Sequence, residues 1–252
     1  MSDNTQRFSN RVANYVKFRP GYPKEIIAFF EEKIQFNNNF IIADVGSGTG
    51  ILTKMFLDNG NKVYAVEPNE AMRIAAEDIL IGYNCFISIN GTAEQTSLPS
   101  NSIDVITAAQ AFHWFDVDKT KIEFRRILKA GGYCCLIWNE RLNKSAFAKA
   151  YDELLLNYSN DYAKVDHKQI NDKKIAAFFA PYQFVKKSFC NKQVFDFEGL
   201  KGRLLSSSYA PAEGEPKHEE MLAALYNLYK IFNQNNSVGF DYETKVYLGK
   251  LY

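Results

Sequence analysis

Short apolar runs alternate with amphipathic segments through the first half of the chain, and this alternation constrains the fold more than any other feature. The apolar runs lie at residues 39–45, 62–66, 85–89, 103–108 and 133–138. Between them, apolar residues with helical spacing cover segments 50–59, 70–80 and 117–128. Strands that alternate with helices predict a parallel sheet, and right-handed crossovers place the helices on both of its faces. We therefore expect an α/β fold with a doubly wound, Rossmann-like sheet.

The second half of the chain is less regular. Apolar spacing predicts helices at 144–158, 169–179, 200–206 and 219–233, and strands at 184–195 and 244–251. The length suits one domain, residues 1–252. We expect its core to comprise 10–142, 182–197 and 240–252. Helical cap insertions at about 143–181 and 198–239 are expected to cover the mouth of the sheet.

The charge balance and the cysteines exclude several classes of protein. The chain has 30 basic and 29 acidic residues, so its net charge is close to zero. Because affinity for nucleic acid comes mainly from neutralising phosphates, we expect no nucleic-acid partner. The amino terminus has no apolar signal region and no apolar run reaches transmembrane length, so no membrane insertion is expected. The four cysteines form no CxxC pair, so we expect no metal site and a cytoplasmic location. Monomer and homodimer both stay open.

The strongest local motif is the segment at 44–50, DVGSGTG, which follows an apolar strand and opens a helix. Glycines remove Cβ atoms where the backbone turns sharply and approaches a ligand closely. Gly46, Gly48 and Gly50 have the spacing GxGxG, which differs from the GxGxxG that cradles a dinucleotide pyrophosphate. The motif therefore indicates a ligand that needs no phosphate cradle. The alternative is a glycine-rich turn without a function.

An acidic residue, Glu67, ends the next strand in the sequence VYAVEPN. A carboxylate about 20 positions beyond such glycines is suitably placed for ribose hydroxyls. It can accept two hydrogen bonds from a vicinal diol, one on each oxygen. The alternative is a solvated carboxylate at a strand end, which is common. The combination with the glycine turn favours ribose binding.

Two further segments follow the third and fourth strands. The turn at 91–94, GTAE, offers small residues that could admit a flat adenine, with Glu94 near the exocyclic amine. The segment at 108–115, AAQAFHWF, lies beside the switch point of a doubly wound sheet, where ligands bind. Its aromatic rings could contact a sulfonium cation. For His113 a packing role is about equally expected, and Phe112 and Phe115 are interpreted as core residues.

The order of these motifs resembles that of the class I S-adenosylmethionine (SAM)-dependent methyltransferases. DVGSGTG, VEPN, GTAE, AFHWF and FRRILKAGGYCCLIWN follow one another, and the similarity covers about 10–138. The chain is similar to the methyltransferase-11-type group, which includes enzymes like trans-aconitate methyltransferase and the ubiquinone/menaquinone methyltransferases. The resemblance implies a seven-stranded sheet with an antiparallel final hairpin, and SAM as the cofactor.

The resemblance also implies which residues meet the cofactor. Asp44 is expected to orient the glycine turn and to meet the amino group of the methionine moiety. Tyr15 and Arg19 belong to an amino-terminal segment, RVANYVKFRPGYP, that is similar to one folding over the cofactor in these relatives. The expected cofactor-binding residues are Tyr15, Arg19, Asp44, Gly46, Gly48, Glu67, Pro68, Met72, Thr92, Ala93, Glu94, Gln110, His113 and Trp114.

These observations predict an enzyme that transfers the methyl group of SAM to a small-molecule acceptor by in-line displacement. The donor is already activated, so the protein mainly aligns donor and acceptor and excludes water. A phenol, enol or amine acceptor needs a base, and His113 and Tyr209 are the predicted catalytic residues, with Glu140 and Arg141 as further candidates. Arg19 and Arg141 are candidates for binding an acidic substrate.

Two alternatives to an active methyltransferase stay open. The first is a non-catalytic SAM-binding protein of the same fold. The second is a dehydrogenase-like nucleotide enzyme, against which the GxGxG spacing and the FHWF segment argue.

Overall fold

The sheet predicted from the alternating pattern is present in the structure. The computed structural model of the protein describes residues 12–160, 162 and 172–252. The strands in these ranges are β1 (Ile41–Val45), β2 (Lys62–Val66), β3 (Phe86–Ile89), β4 (Ile103–Ala109), β5 (Leu128–Arg141), β6 (Phe184–Phe195) and β7 (Val238–Gly249). They form a seven-stranded sheet in the order β3-β2-β1-β4-β5-β7-β6. The predicted fold class is therefore confirmed, while predictions within 1–11 and 163–171 lie outside the described residues.

The direction of the strands creates a crevice at one edge of the sheet. β1 pairs in parallel with both β2 and β4, and the parallel set extends to β3 and β5. β7 runs antiparallel to β5 and to β6. From β1 the chain moves outward through β2 and β3 and then returns to β4 on the other side. The carboxyl ends of β1 and β4 thus form the switch point at which ligands bind in such sheets.

Nine helices accompany the sheet within the described ranges. They are α1 (Val12–Phe18), α2 (Glu25–Ile34), α3 (Ile51–Asp58), α4 (Glu70–Leu80), α5 (Val117–Ile127), α6 (Ala146–Tyr158), α7 (Asp172–Phe179), α8 (Phe197–Leu205) and α9 (His218–Phe232). The side chains of Asn69, Asp116, Ser145 and Asp196 accept a backbone N–H in the first turns of α4, α5, α6 and α8. These are the residue types that cap helix starts best, so the capping residues determine where these helices begin.

Each face of the sheet carries its own apolar core. Cys134 packs in one core, with Phe124 of α5 and Phe178 of α7. Cys135 packs in the other core, with Phe30 of α2 and further residues of α3. Successive strand residues point to opposite faces, so the adjacent cysteines behave as the sequence predicts. Helices on both faces make the sheet doubly wound.

A third core holds the cap together above the sheet. Helices α6, α8 and α9 contribute Leu155, Leu204 and Leu225 to it, and the ends of β6 and β7 contribute further residues. Helix α1 packs against this cap. A Cβ on Gly202 of α8 would lie 2.0 Å from the ring of Phe18, so only glycine allows this ring to sit against the helix. The amino-terminal segment is thereby joined to the cap.

Three elements differ from the sequence prediction. Helix α7, assigned to the cap insertion at 143–181, instead packs Ile175, Phe178 and Phe179 into a core of the sheet, because its apolar face is large enough to be buried there. β7 begins at Val238 rather than near 244, since it pairs with β6 as far as Phe195. Helix α2 was not predicted, although its buried residues follow helical spacing.

Candidate functional site

One large cavity lies over the carboxyl ends of β1, β2, β4 and β5 and beneath the cap. Its volume is about 1100 Å³, just above the roughly 300–1,000 Å³ of small-molecule sites. All the sequence-predicted site residues line it: Tyr15, Arg19, Asp44, Gly46, Gly48, Glu67, Pro68, Met72, Thr92, Ala93, Glu94, Gln110, His113, Trp114 and Tyr209. The structure therefore brings together residues that are nearly 200 positions apart. Their individual roles stay predictions.

The three glycines of the turn after β1 are required for two different reasons. All have positive φ: +70° at Gly46, +58° at Gly48 and +82° at Gly50. A Cβ on Gly46 would lie 2.5 Å from that of Ala111, and one on Gly50 would lie 2.7 Å from Leu80. At Gly48 nothing lies within 4 Å. The first and third glycines thus permit close packing, whereas the second faces open space that a ligand can use.

Asp44 is the most deeply buried carboxylate of the cavity wall. It is the second-last residue of β1 and is 1% exposed. One oxygen accepts a hydrogen bond from the Thr53 hydroxyl at 2.6 Å and the other from the Thr107 hydroxyl at 2.9 Å. Burial raises the pKa of Asp44 from 3.8 to about 6, although both hydroxyls favour the charged form. A buried carboxylate without a cationic partner is electrostatically suited to an ammonium group.

Glu67 connects the glycine turn to the start of α4. Its Oε2 accepts the Gly48 N–H and its Oε1 accepts the Asn69 N–H, each at 2.8 Å. Burial outweighs these hydrogen bonds, which favour the charged form, and raises the pKa of the carboxyl. Each oxygen of a carboxylate has a second lone pair, so both can still accept a hydroxyl. Glu67 therefore shapes the turn and keeps the acceptor capacity that a ribose diol needs.

The wall between β2 and β3 is made of the residues predicted to flank adenine. Met72 is buried, and its N–H donates to the Asn69 side chain at the start of α4. The turn that contains Thr92 and Ala93 is closed by a hydrogen bond from the Thr92 N–H to the carbonyl of Gln95. Met72, Thr92 and Ala93 line the same cavity as Glu67.

Glu94 has a structural partner as well as a place on this wall. Its Oε1 accepts the N–H of Asp116, which caps α5, at 2.8 Å. The hydrogen bond links the turn after β3 to the segment after β4.

The segment after β4 contains a strained residue. Gln110 has φ +53°, which is uncommon outside glycine, and its side chain donates to the carbonyl of Asn139 at 3.2 Å. His113 and Trp114 lie on a single turn of 3-10 helix, Phe112–Trp114, with ring centroids 4.7 Å apart. Phe112 is buried in the core, as predicted. Strain of this kind clusters at ligand sites, and the half-buried His113 and the exposed Trp114 line the cavity beside it.

The amino-terminal segment forms the wall opposite the glycine turn. The guanidinium of Arg19 stacks over the Tyr15 ring at 4.8 Å. The carbonyl of Gly21 accepts hydrogen bonds from Asn139 at 3.0 Å and Asn191 at 2.8 Å, which fastens the segment to β5 and β6. Close by, burial raises the pKa of Tyr22 well above its ordinary value. Sequence reasoning missed Tyr22, although it lies in the same RPGYP segment.

The cap closes the cavity with a group of tyrosines and arginines. Tyr209 is 9% exposed, and its ring packs edge-on against Tyr162 at 5.0 Å. Arg141 forms an ion pair with Asp152, which also accepts a hydrogen bond from the Tyr162 hydroxyl. Arg203 of α8 lines the cavity and is buried. Sequence reasoning missed its role, because a lone arginine on an amphipathic helix carries no local signal of a site.

Two of the predicted base candidates already have charged partners. Glu140 forms an ion pair with Lys245, and Arg141 forms one with Asp152. Neither is well placed to accept a proton from an acceptor. His113 and Tyr209 also line the cavity, and they stay the candidates for that role.

The cavity fits the cofactor that the resemblance implies. The carboxylate of Asp44 lies at its base, and the backbone above Gly48 leaves room for a bound group. The hydroxyls of Ser47 and Thr49 are buried there without a hydrogen-bond partner among the described residues. Unsatisfied buried hydroxyls next to an open turn are expected where a ligand completes the hydrogen bonding. Within the described ranges, no cluster of His, Cys, Asp or Glu could hold a metal ion.

The chain is similar in sequence to known methyltransferases. Residues 43–136 match the family model of a methyltransferase domain. An uncharacterized methyltransferase of Mycobacterium tuberculosis is 32% identical over 154 residues, 61% of this chain and 60% of that protein. One of Schizosaccharomyces pombe is 28% identical over 149 residues, 59% of this chain and 58% of that protein. The chain thus covers about 60% of the length of the first of these relatives.

Solved methyltransferase structures share the fold. A structure described as a type II methyltransferase from Anaeromyxobacter dehalogenans superposes with a TM-score of 0.68 and 21% identity, covering 93% of this chain and 98% of that one. Phosphoethanolamine N-methyltransferase 2 of Haemonchus contortus, in complex with SAM, gives a TM-score of 0.57 and 15% identity, covering 98% of this chain and 58% of that one. No helix in the described ranges is long and apolar enough to span a bilayer.

Proposed function

We propose that the chain is a class I SAM-dependent methyltransferase and that it transfers the methyl group of SAM to a small-molecule acceptor bound beneath the cap. The observation that carries the proposal is the juxtaposition at the switch point of the sheet. There a buried carboxylate, Asp44, an open glycine turn at Gly48 and a strand-end carboxylate, Glu67, line one cavity. This combination suits a ligand with an ammonium group and a ribose, but no phosphate.

Bound SAM supplies an activated methyl group on a sulfonium, so the chain need not activate the donor. The residues of the chain are then required to align two molecules and to exclude water. Asp44 binds the amino group, and Glu67 accepts the ribose hydroxyls. Trp114 and His113 line the wall that the sulfonium faces, where aromatic rings attract a cation.

The adenine and methionine ends complete the cofactor site. The turn at Thr92 and Ala93, together with Met72 and Pro68, forms the adenine slot, and Glu94 lies near the exocyclic amine. Tyr15 and Arg19 close over the methionine end from the amino-terminal segment. The backbone of Gly46 and the side chain of Gln110 line the same end of the cavity.

A small acceptor is supported by the enclosure of the cavity. The cap and the amino-terminal segment cover it from above, joined by the contact of Phe18 with Gly202. Its volume of about 1100 Å³ exceeds the roughly 300–1,000 Å³ of a single small-molecule site, which leaves room for a second small molecule. For an acceptor that must lose a proton, we propose His113 and Tyr209 as the catalytic residues.

The state of the cysteines bears on the location of the protein. All four cysteines are free thiols, and Cys134 and Cys135 are buried in the two cores of the sheet. This supports a reducing, cytoplasmic location. We propose a monomer or a homodimer without nucleic acid.

Two measurements test the proposed function. Isothermal titration with SAM, S-adenosylhomocysteine and NAD should give heat with the first two and none with NAD. Incubation with methyl-labelled SAM and a small-molecule extract should then transfer label to one acceptor. Tight NAD binding without SAM binding would refute the assignment. Binding of SAM without transfer to any acceptor would instead favour a non-catalytic SAM-binding protein.

A further inference from the structure

Two guanidinium groups in the cavity have no acidic partner. Arg19 donates to the carbonyl of Ser206 at 2.8 Å, and Arg203 donates to the hydroxyl of Ser207 at 3.1 Å. Both line the cavity, and the Nε of each is buried without a hydrogen-bond partner in the part of the chain that the structure describes. Neither forms an ion pair with a carboxylate in those residues. Arg141, in contrast, has Asp152 as its counter-ion.

The two unpaired groups are close enough to repel each other. Both bind the same two-residue turn, Ser206 and Ser207, from different elements. Burial lowers the pKa of Arg19, and the charge of Arg203 lowers it further. Arginine stays protonated in proteins, so this region carries two positive charges. Like charges that are removed from water are costly unless anions compensate them.

The cofactor can compensate only one of these charges, because SAM has a single carboxylate. Arg19 is the nearer partner for that carboxylate, since it stacks on Tyr15 in the segment predicted to close over the methionine end. Arg203 projects from the cap helix α8 and lines the cavity together with Tyr209 and Tyr242, whose side chains carry no negative charge at neutral pH. The acceptor must therefore supply the second anion.

We propose that the acceptor is a small organic carboxylate, and that Arg203 binds its anionic group. This inference rests on the proposed function, since it divides the cavity between SAM and an acceptor. A guanidinium binds a planar carboxylate through two parallel hydrogen bonds, which also orients the rest of the molecule. The rings of Tyr209 and Tyr242 offer an apolar surface to the remainder of the acceptor.

The charge of the surrounding wall favours a carboxylate over a phosphate ester. After one guanidinium is paired with the cofactor, one uncompensated positive charge is left in the group of Arg19 and Arg203. Glu140 and Asp152 also line the cavity, each engaged by its own cation. Of the lysines that line the cavity, Lys186 and Lys245 have carboxylate partners, and Lys173 belongs to α7, outside the group of Arg19 and Arg203. A second negative charge at Arg203 would therefore have no further guanidinium to pair with among the described residues. A monoanion matches the wall better.

Binding to the wild-type protein gives the first test. Hexanoate and benzoate are titrated against the complex with S-adenosylhomocysteine, each beside its neutral amide, by calorimetry and by thermal unfolding. At least one carboxylate should bind and raise the melting temperature, while its amide should do neither. Phenyl phosphate serves as the comparison anion. Equal effects of acids and amides, or tighter binding of the phosphate, would overturn the proposal.

Variants of Arg203 give the second test. Arg203→Gln should weaken carboxylate binding by about ten- to a hundredfold, the range expected for hydrogen bonds between charged groups, and should leave the affinity for S-adenosylhomocysteine within a factor of two. Arg203→Lys, which keeps the charge, should retain part of the affinity. Lys230→Gln makes the same change of charge on the exposed surface of the cap and should change nothing.

The outcomes separate this inference from the proposed function. If S-adenosylhomocysteine binds but no carboxylate is preferred over its amide, the inference fails and the methyltransferase assignment stands. If Arg203→Gln loses the cofactor analogue as well, Arg203 serves the cofactor and the inference also fails. If the analogue does not bind the wild-type protein, the proposed function fails, and the same carboxylate titration of the unliganded protein decides the inference. If Arg203→Gln does not fold, the lysine variant and the acid–amide comparison still decide.

Discussion

Replacing Asp44 by asparagine should stabilise the unliganded protein while it removes SAM binding. Burial raises the pKa of this carboxyl from 3.8 to about 6. The folded protein therefore keeps the proton up to about pH 6, whereas the unfolded chain releases it near its ordinary pKa. Stability from this group is fully present below the unfolded pKa and is lost as the pH rises through 6. The charged form at neutral pH is thus a cost to folding.

The size of this cost follows from the pKa. One unit corresponds to about 1.4 kcal/mol, so a rise from 3.8 to about 6 lowers the unfolding free energy by about 3 kcal/mol above pH 7. Asparagine removes the charge, but it places an amide where Thr53 and Thr107 now donate to oxygens. A threonine hydroxyl can rotate and accept a hydrogen bond from this amide, which offsets part of the loss. We therefore expect a net gain of about 1–3 kcal/mol at pH 7.5.

Urea unfolding of the unliganded protein at pH 7.5 and pH 5 measures this difference. The advantage of Asp44→Asn over the wild type should be about 1.4 kcal/mol smaller at pH 5, because most of the native carboxyl is then protonated. The exposed Asp78→Asn should change the unfolding free energy by less than about 0.5 kcal/mol at either pH. If Asp44→Asn is less stable than the wild type at pH 7.5, the hydrogen bonds of Asp44 outweigh its desolvation and the reasoning is wrong.

Three further substitutions probe the cofactor site and the cap. Gly48→Val should abolish SAM binding without unfolding the protein, because the side chain enters the open space at φ +58°; normal SAM affinity by calorimetry would exclude the turn as the site. Glu67→Ala should weaken SAM binding by about 1–3 kcal/mol, since it removes the diol acceptor; an unchanged titration would place the ribose elsewhere. Tyr209→Phe should leave SAM affinity intact and lower turnover on the true acceptor, whereas an equal loss of SAM affinity and thermal stability would identify a packing residue.

The sheet and its cofactor edge could be predicted because their signals are local. The apolar run that contains Asp44, the glycines that follow it and Glu67 lie within 29 residues, and each indicates a strand end or a turn. The alternation of Cys134 and Cys135 follows from strand geometry alone. Parallel strands bring their carboxyl ends to one edge, so residues found at separate strand ends meet in space.

Elements that depend on long-range packing were predicted less well. Helix α7 has the spacing of any amphipathic helix, and nothing in the sequence indicates whether its face meets the cap or the sheet. In the structure Phe178 lies 4.7 Å from Phe112, ring to ring, which assigns it to the sheet. The early start of β7 likewise depends on its partner, since Val238 is paired with Phe195 of β6. Local spacing does not contain this information.

The charge of the acceptor half of the cavity also could not be predicted from local sequence. Arg19 and Arg203 lie 184 positions apart, and each is unremarkable in its own segment. Their meaning arises only when the Phe18–Gly202 contact brings α1 onto α8 and both guanidinium groups reach one turn. A pair of like charges cannot be interpreted from either residue alone, because its cost depends on the distance between them and on the absence of a counter-ion. Sequence motifs therefore identify the cofactor, which is bound by consecutive strand ends, whereas the class of acceptor emerges from a charge imbalance that exists only in the folded cap.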